Sequence, residues 1–558
     1  MRFQILVVPL CLIVASSSSV WAKTPPALHG KPPVARPGDP AEDFTPAHPT
    51  SGVMAPDRDP RSVSGIMLPP SFPNHIKMTA TSLQTPLETT PDARRRTHFG
   101  VLPLDVPSWI NSLYSWDVSN QAGADVEPAT IAITLSNTTY RTSACSHWNG
   151  SGYDFVANST TNLSSNGAGP FTRTTLVRPA GYTDAGDAWL AENPYTTGLG
   201  PDRIYASAIL FNRDSNGFGI SPSQVRLYYT LDGGTTWTGG TPVDYRANST
   251  DPILDKPAMD VSWYTPTLGY VYVAYVDTGN SFSIHLRWNT DGLWTRCRPA
   301  GGGCLPINWN ETIITSANGP QGPQVVVNST NGDVYVLWAT QTATPEIRMR
   351  RATYDPLNPT GLTFGPEIVV ANGYNNVSNL GNSMRSPTVA FQARFNPAAP
   401  VGNSLMVTWN ATDAGSQGTA IYYTSFNGST IQQSDPVPAR QRFDAPGDQF
   451  QGVVDNDDTG NLLLSYYSTQ NDAGLQLYQL MGMYLTPSGG TLIGPSVLNA
   501  TLNNNKYDFS PFPAVFIGDY HDTFYWAMGD VNGTRWDTSW TRFVNPSGDQ
   551  ETWITGAR

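Results

Sequence analysis

The sequence predicts an all-β fold, a β-propeller of four-stranded blades, with seven blades favoured and six as the alternative. Two observations lead to this prediction. From about residue 108, short β-branched and aromatic runs alternate with turns rich in Gly, Asn, Asp and Pro, and amphipathic helical stretches are nearly absent. A similar pair of strands also returns every 60 to 70 residues or so, which indicates a repeat architecture.

Each repeat begins with a polar residue near a small residue or proline, followed by an apolar strand, a turn and an aromatic-rich strand. Such segments start at Glu127, Gly186, Asp255, Gly322, Arg385, Asp448 and Ile517. A second hairpin, such as RLYYTLDGGTTW at residues 226–237, lies between successive starts. Two hairpins make a four-stranded blade, and a ring of blades protects its strand edges. The first and last starts are the weakest, and six blades result if these two segments complete one blade jointly.

The N-terminal region predicts a protein that is exported, to an extracellular or periplasmic location. Residues 1–22 combine Arg2, an apolar run and small residues near a cleavage position, as signal peptides do. Residues 23–107 hold about a third of the 47 prolines and few apolar runs, so we expect a linker or pro-segment there. Residues 108–558 are the predicted propeller.

Composition narrows the classes of partner. The net charge of -12 disfavours a nucleic-acid partner, which selects a basic surface. No apolar run after the signal peptide is long enough to span a bilayer. In an oxidising compartment Cys297 and Cys304 are expected to form a disulfide, and Cys145, left over from this pairing, is expected to be buried.

No metal site or cofactor is predicted. The seven histidines are scattered singly, and no Cys and His spacing suggests zinc. The stretch DNDDTG at residues 455–460 is similar in composition to a calcium-binding loop. However, Tyr466 occupies the position at which such a loop has its final Glu. We interpret it as the turn between two strands. A structural calcium ion elsewhere stays an open alternative.

The turn at residues 230–237, TLDGGTTW, resembles the Asp box of the sialidase superfamily, also called the bacterial neuraminidase repeat. The segments DKPAMDVSW…GYVYVAYVD, GPQVVV…GDVYVLWAT and FIGDY are also similar to secreted sialidase-like propellers, and the resemblance covers roughly residues 127–543. It implies a structural role for Asp232, Gly234 and Trp237. The Asp232 carboxylate would accept turn amides, the glycines would allow positive φ and the indole would pack on a strand.

The starts of the repeats supply the candidate site residues. First strands line the channel of a propeller, so polar residues at their starts are expected at one mouth, where a sugar would bind. The candidate catalytic residues are Arg385, Asp187, Asp255, Asp448, Asp519 and Tyr520, and the candidate ligand-binding residues are Lys256, Gln324 and Gln449. The structural alternative is that these side chains cap strand ends and bond to the backbone of neighbouring blades.

Two functions stay open. The resemblance implies a glycoside hydrolase of the exo-sialidase type, with an arginine triad for the substrate carboxylate, a Tyr nucleophile, a Glu that activates it and an Asp acid/base. The early Phe/Tyr-Arg-Ile/Leu-Pro motif of that family is absent here, and Glu is scarce. A non-catalytic propeller that binds glycans or proteins is therefore the alternative. A glycan or glycoprotein is the expected partner, and the oligomeric state is not determined by the sequence.

Overall fold

The computed structural model describes seventeen stretches of the chain. They are residues 113–117, 124–135, 138–149, 152–161, 171–193, 203–213, 219–248, 253–279, 282–289, 309–372, 391–400, 402–412, 418–472, 477–499, 521–527, 534–544 and 549–557. Apart from turns and a one-turn 3-10 helix at Thr265–Thr267, their regular structure is β-strand. None of the described residues belongs to a helix long and apolar enough to cross a membrane.

The strands are short and follow one another through turns. In chain order they are β1 Leu113–Asp117, β2 Ala124–Leu135, β3 Thr138–Trp148, β4 Tyr153–Thr160, β5 Thr172–Thr175, β6 Asp184–Asn193, β7 Arg203–Arg213, β8 Gly219–Thr230, β9 Thr238–Arg246, β10 Leu254–Val261, β11 Val271–Asp277, β12 Ser283–Asn289, β13 Asn310–Thr315 and β14 Gln321–Val327. The second half comprises β15 Val334–Ala339, β16 Glu346–Tyr354, β17 Leu362–Asn372, β18 Phe391–Phe395, β19 Leu405–Ala411, β20 Ala420–Phe426, β21 Gln441–Phe443, β22 Gln449–Asn456, β23 Leu462–Ser468, β24 Gln479–Leu485, β25 Thr491–Val497, β26 Asp522–Ala527, β27 Thr534–Val544 and β28 Asp549–Ala557.

The strands form six sheets in a propeller arrangement, as the all-β prediction requires. Five sheets are antiparallel four-stranded blades: β6–β9, β10–β13, β14–β17, β18–β21 and β22–β25. The sixth has eight strands in the order β26-β27-β28-β2-β3-β4-β5, with β1 also paired to β28. Its halves meet through one parallel pair, Ala124 with Gln550. Six sheets are thus observed, and seven blades are obtained only by counting these halves separately.

The first strands of the repeats form the inner wall of the ring. Each of β2, β6, β10, β14, β18, β22 and β26 contacts the next inner strand, and β26 contacts β2. The middle strands are enclosed on both faces by neighbouring sheets, so β11, with the sequence VYVAYVD, is buried almost throughout. A near-continuous apolar run is typical of a strand with both faces covered.

A bulge recurs near the start of five inner strands. The register shifts between Val126 and Ala129, Gly186 and Trp189, Asp255 and Ala258, Gln321 and Gln324, and Phe450 and Val453. One residue inside each bulge has a positive φ: Glu127 (58°), Asp187 (56°), Lys256 (50°), Gly322 (56°) and Gln451 (51°). The left-handed conformation is unusual for a residue other than Gly, Asn or Asp. The bulge therefore re-aims polar side chains near one end of the channel.

Candidate functional site in the central channel

A cavity of about 630 Å³ lies among the inner strands. It is lined by residues from the second halves of most of these strands, by Asp522 at the start of β26, and by the turns that follow β10, β14 and β18. Its walls combine the aromatic side chains of Trp189, Trp263 and Tyr264 with charged groups from five different strands. The charged residues are Glu192, Asp260, Arg394, Asp455 and Asp522. The volume falls in the range of small-ligand sites, about 300–1,000 Å³.

Four aspartates of the inner strands accept hydrogen bonds from the backbone of the next inner strand around the ring; we call them the inter-blade aspartates. The N–H groups and distances are Lys256 to Asp187 (3.1 Å), Val327 to Asp260 (2.8 Å), Tyr525 to Asp455 (2.7 Å) and Thr130 to Asp522 (3.2 Å). At these positions an inner strand has a sheet partner on one side only, so these N–H groups need an acceptor outside the ladder. The carboxylates therefore join blades that share no sheet at these points.

Replacing Asp260 with alanine should destabilise the propeller by about 1–3 kcal/mol, because the N–H of Val327 would lose its acceptor in a buried position. Asp260→Asn keeps an amide oxygen that accepts the same bond and should cost less. Urea unfolding of the two variants beside the wild type measures the difference. Equal losses for Ala and Asn would show that the inter-blade hydrogen bond is not the cause.

Arg394 connects three inner strands. It belongs to β18, and its Nη2 donates to Asp522 Oδ1 on β26 at 2.6 Å. Its guanidinium carbon also lies 5.6 Å from the centroid of the Trp189 ring on β6. Asp522 and Trp189 therefore hold the guanidinium from two sides of the channel, through an ion pair and a cation–π contact.

The carboxyl group of Asp522 has a raised pKa. Burial raises its pKa to about 6, and Asp455 adds to this, although Arg394 and the backbone N–H groups of Thr130 and Thr523 act in the opposite direction. A buried carboxyl is costly to ionise, and a nearby carboxylate increases that cost. The adjacent His521 is fully buried, and burial lowers its pKa to about 3, so it is neutral at physiological pH.

The polar residues at the strand starts lie outside the cavity walls, and three of them meet each other. Lys256 Nζ lies 3.4 Å from Glu127 Oε1 and 3.4 Å from Asp187 Oδ1. All three side chains are largely buried. Of the candidate residues, Asp187 and Lys256 thus come together, with Glu127 as a third member that the sequence did not single out. The resulting ion cluster links three consecutive inner strands.

The other strand-start candidates have local partners. Asp255 Oδ1 accepts from the N–H of Lys256, and Asp448 Oδ1 accepts from the N–H of Thr419 in the preceding blade. Gln449 is bonded within its own turn, to the N–H of Ala445 and to the carbonyl of Gly447. These contacts are of the kind that the structural alternative describes.

Gln324 differs from the other strand-start candidates. Its Oε1 is buried and has no hydrogen-bond partner among the described residues.

Several other predictions fall outside the described part of the chain. They concern Arg385, Asp519 and Tyr520 as catalytic residues, and the pairing of Cys297 with Cys304. The remaining cysteine, Cys145, is fully buried in β3.

The turn at residues 230–237 joins β8 to β9 on the outer side of its blade. Asp232 accepts hydrogen bonds from the N–H and hydroxyl groups of Thr236 and from the hydroxyl of Thr230. Partial burial raises the pKa of its carboxyl, but these hydrogen bonds outweigh burial, so the pKa is lowered. Trp237 Nε1 donates to the carbonyl of Gly234, and Thr142 Oγ1 donates to Gly233 from the neighbouring blade. The Asp232 carboxylate thus accepts its hydrogen bonds from residues of the turn itself.

The stretch at residues 455–460 comprises the last two residues of β22 and the first four residues of the turn to β23. Asp457 Oδ1 accepts from the N–H groups of Thr459 and Asn461, and Tyr484 donates its hydroxyl to Oδ2. The same stretch supplies the inter-blade aspartate Asp455. In the part of the chain that the structure describes, no group of three or more His, Cys, Asp or Glu side chains is placed to hold a metal ion.

The comparisons with known proteins give structural likeness only. No family model matches the chain, and no curated protein matches it. A leech intramolecular trans-sialidase superposes with a TM-score of 0.42 at 11% identity, over 67% of this chain and 70% of that one. An intramolecular trans-sialidase from Ruminococcus gnavus gives 0.40 at 11% identity (63% and 91% coverage), and an α-L-arabinofuranosidase of Fusarium graminearum gives 0.40 at 13% identity (67% and 97%).

Sequence reasoning missed the charged residues of the cavity, although a signal was present. Asp260 and Asp455 stand within the repeat segments, four residues after Lys256 and Gln451, the left-handed residues of their bulges. Arg394 is the one charged residue of the inner strand FQARF, whose other residues are two Phe, one Ala and one Gln. A charge in such a strand of a ring of blades faces either a neighbouring blade or the channel. That pattern shows which positions of the inner strands carry a charge. It does not show which of these charged side chains contact each other.

Proposed function

We propose that the protein is a secreted, sialidase-like propeller that takes a glycan into its central channel, with the cavity around Trp189, Trp263 and Tyr264 as the binding site. The observation that supports this proposal is the mixture of groups on the cavity walls. Aromatic rings stand beside carboxylates, one guanidinium and the hydroxyl groups of threonine and serine. The groups come from separate inner strands, so the ring of blades is what assembles them.

The chemistry of a sugar matches such walls. A pyranose ring has an apolar C–H face, which packs on an aromatic ring, and a rim of hydroxyl groups, which exchange hydrogen bonds with carboxylates and hydroxyls. Trp263 and Tyr264 follow β10 directly and are half-buried, so they form the rim of the cavity on that side. A glycan that enters from the ends of the inner strands meets these rings first.

The test is binding of the purified full chain to an array of sialylated and neutral oligosaccharides, followed by titration calorimetry with the best ligand. Trp263→Ala should weaken that binding about tenfold, because a lost aromatic platform costs about 1.4 kcal/mol. Trp309→Ala is the matched control, since Trp309 lies outside the cavity walls and donates to the carbonyl of Pro242. Absence of saturable binding to any glycan, or an equal loss for both variants, would refute the proposed site.

A second candidate function, hydrolysis of a terminal sugar, is favoured by one observation. With its raised pKa, Asp522 is protonated in mildly acidic solution and lies within electrostatic reach of Asp455. A protonated carboxyl beside an ionised one is the arrangement that glycosidases use for acid catalysis. Both oxygens of Asp522 are engaged, however, by Arg394 and by the N–H of Thr130. Mass spectrometry of the same binding mixtures separates the two functions, because released monosaccharide is formed only by a hydrolase.

A further inference from the structure

Arg394 occupies a special place in the channel. Its partners, Trp189 and Asp522, are the cavity-lining residues that come earliest on β6 and β26. The guanidinium thus lies at the inner end of the cavity, where it spans from β18 to strands on other sides of the ring. The ion cluster of Lys256, Glu127 and Asp187 is built from the strand starts beyond this level.

We infer that Arg394 is a crossbar that closes the inner end of the cavity, and that its ion pair with Asp522 is a latch that acid releases. Two contacts of different kinds hold the Arg394 side chain in this position. The Trp189 ring attracts the guanidinium at any pH, whereas Asp522 holds it by charge only while the carboxyl is ionised. Protonation of Asp522 therefore removes the ion pair, the stronger of the two contacts that hold Arg394.

The surroundings of Asp522 favour protonation in mild acid. Four groups face its carboxyl: the Arg394 guanidinium from β18, the Asp455 carboxylate from β22, the N–H of Thr130 from β2 and the N–H of Thr523 from its own strand. The neighbouring His521 is buried and neutral. Burial and Asp455 oppose ionisation, and the pKa of the carboxyl is raised to about 6.

Release of the latch changes the site. Without the Asp522 charge, only the weaker cation–π contact remains, and it does not by itself hold the guanidinium on the face of Trp189. The guanidinium then no longer closes the inner end of the cavity, which becomes deeper. The face of the Trp189 ring becomes accessible from the cavity. If the cavity is the glycan site proposed above, its affinity depends on pH through this pair; the latch itself requires no ligand.

The latch is tested without ligand by labelling the full chain with 5-fluorotryptophan and recording ¹⁹F NMR spectra. The Trp189 resonance is identified by its absence in Trp189→Phe. In the wild type it should move sigmoidally with a midpoint near pH 6, because the guanidinium leaves the ring as Asp522 gains its proton. In Asp522→Asn the resonance should stay at its acidic position at every pH.

Two further variants complete the test. Asp260→Asn changes another carboxylate of the same cavity, one that the structure does not pair with Arg394, and should titrate as the wild type does. Arg394→Met removes the crossbar, so its Trp189 resonance should not respond near pH 6; this variant replaces Asp522→Asn if that chain does not fold. A Trp189 resonance that is static in the wild type, or that titrates unchanged without Asp522 or Arg394, would overturn the inference. A working latch with no glycan binding would leave the latch standing and refute only the proposed function.

Discussion

Replacing Gly233 with alanine should destabilise the propeller by about 2–5 kcal/mol. Gly233 has φ of 69°, which L side chains rarely adopt. A Cβ at this position would lie 2.0 Å from Cγ and 2.6 Å from Cβ of Tyr140, in the neighbouring blade. These atoms are close to the Tyr140 backbone and cannot move aside as the end of a flexible chain does. The turn or the blade contact must therefore yield.

Gly239 provides the matched control, since it lies six residues further along, in β9. An added Cβ there meets nothing within 4 Å. Gly239→Ala should therefore leave the urea midpoint nearly unchanged, while Gly233→Ala lowers it with a similar m-value. Similar midpoints for the two variants would mean that the turn adapts to a side chain and does not fix the neighbouring blade.

Asp522 should make the propeller less stable as the pH rises from about 4 to about 6. Its pKa is 3.8 in the unfolded reference and about 6 in the fold, so the folded state holds a proton over this range that the unfolded state has lost. The stabilisation from proton binding is complete below about pH 4 and is lost as the pH rises through about 6. A difference of about two pKa units corresponds to a change on the order of 3 kcal/mol.

The measurement is the free energy of unfolding by urea, at several pH values, for the wild type and Asp522→Asn. The difference between the two should change by that amount across the interval, because Asn does not titrate. A constant difference between wild type and Asp522→Asn from pH 4 to pH 7 would show that this carboxyl has an ordinary pKa in the fold.

The fold was predictable because its signals are local. Alternation within strands, turn residues such as Gly233 and Gly234, and the recurrence of the strand pair are all contained in segments shorter than one blade. The number of blades was harder to predict from the sequence, since it depends on whether the two halves of the eight-stranded sheet are counted as one blade or as two. That sheet joins β26–β28 to β2–β5, from opposite ends of the described chain. A local pattern does not encode such a pairing.

The cavity could not be predicted for a related physical reason. The sequence shows polar residues at the strand starts, but a bulge with a left-handed residue turns Asp187 and Lys256 towards each other. The charges that line the cavity lie further along the strands, and Arg394 reaches partners on β26 and β6. Which side chains meet across a channel depends on the diameter of the ring and on side-chain length. Neither quantity is visible in the spacing of residues along the sequence.

The pairing of β1 with β28 sets an order of events during folding. Leu113 lies beside Ala557, so a strand from the beginning of the described chain completes a sheet with a strand from its end. Contacts so distant in sequence form slowly, because the loop-closure entropy must be overcome before they are made. Until β28 has been synthesised, β1 has no sheet partner and the first and last blades each expose an unpaired edge. A growing chain thus carries an open ring that is prone to mispairing until β28 pairs with β1.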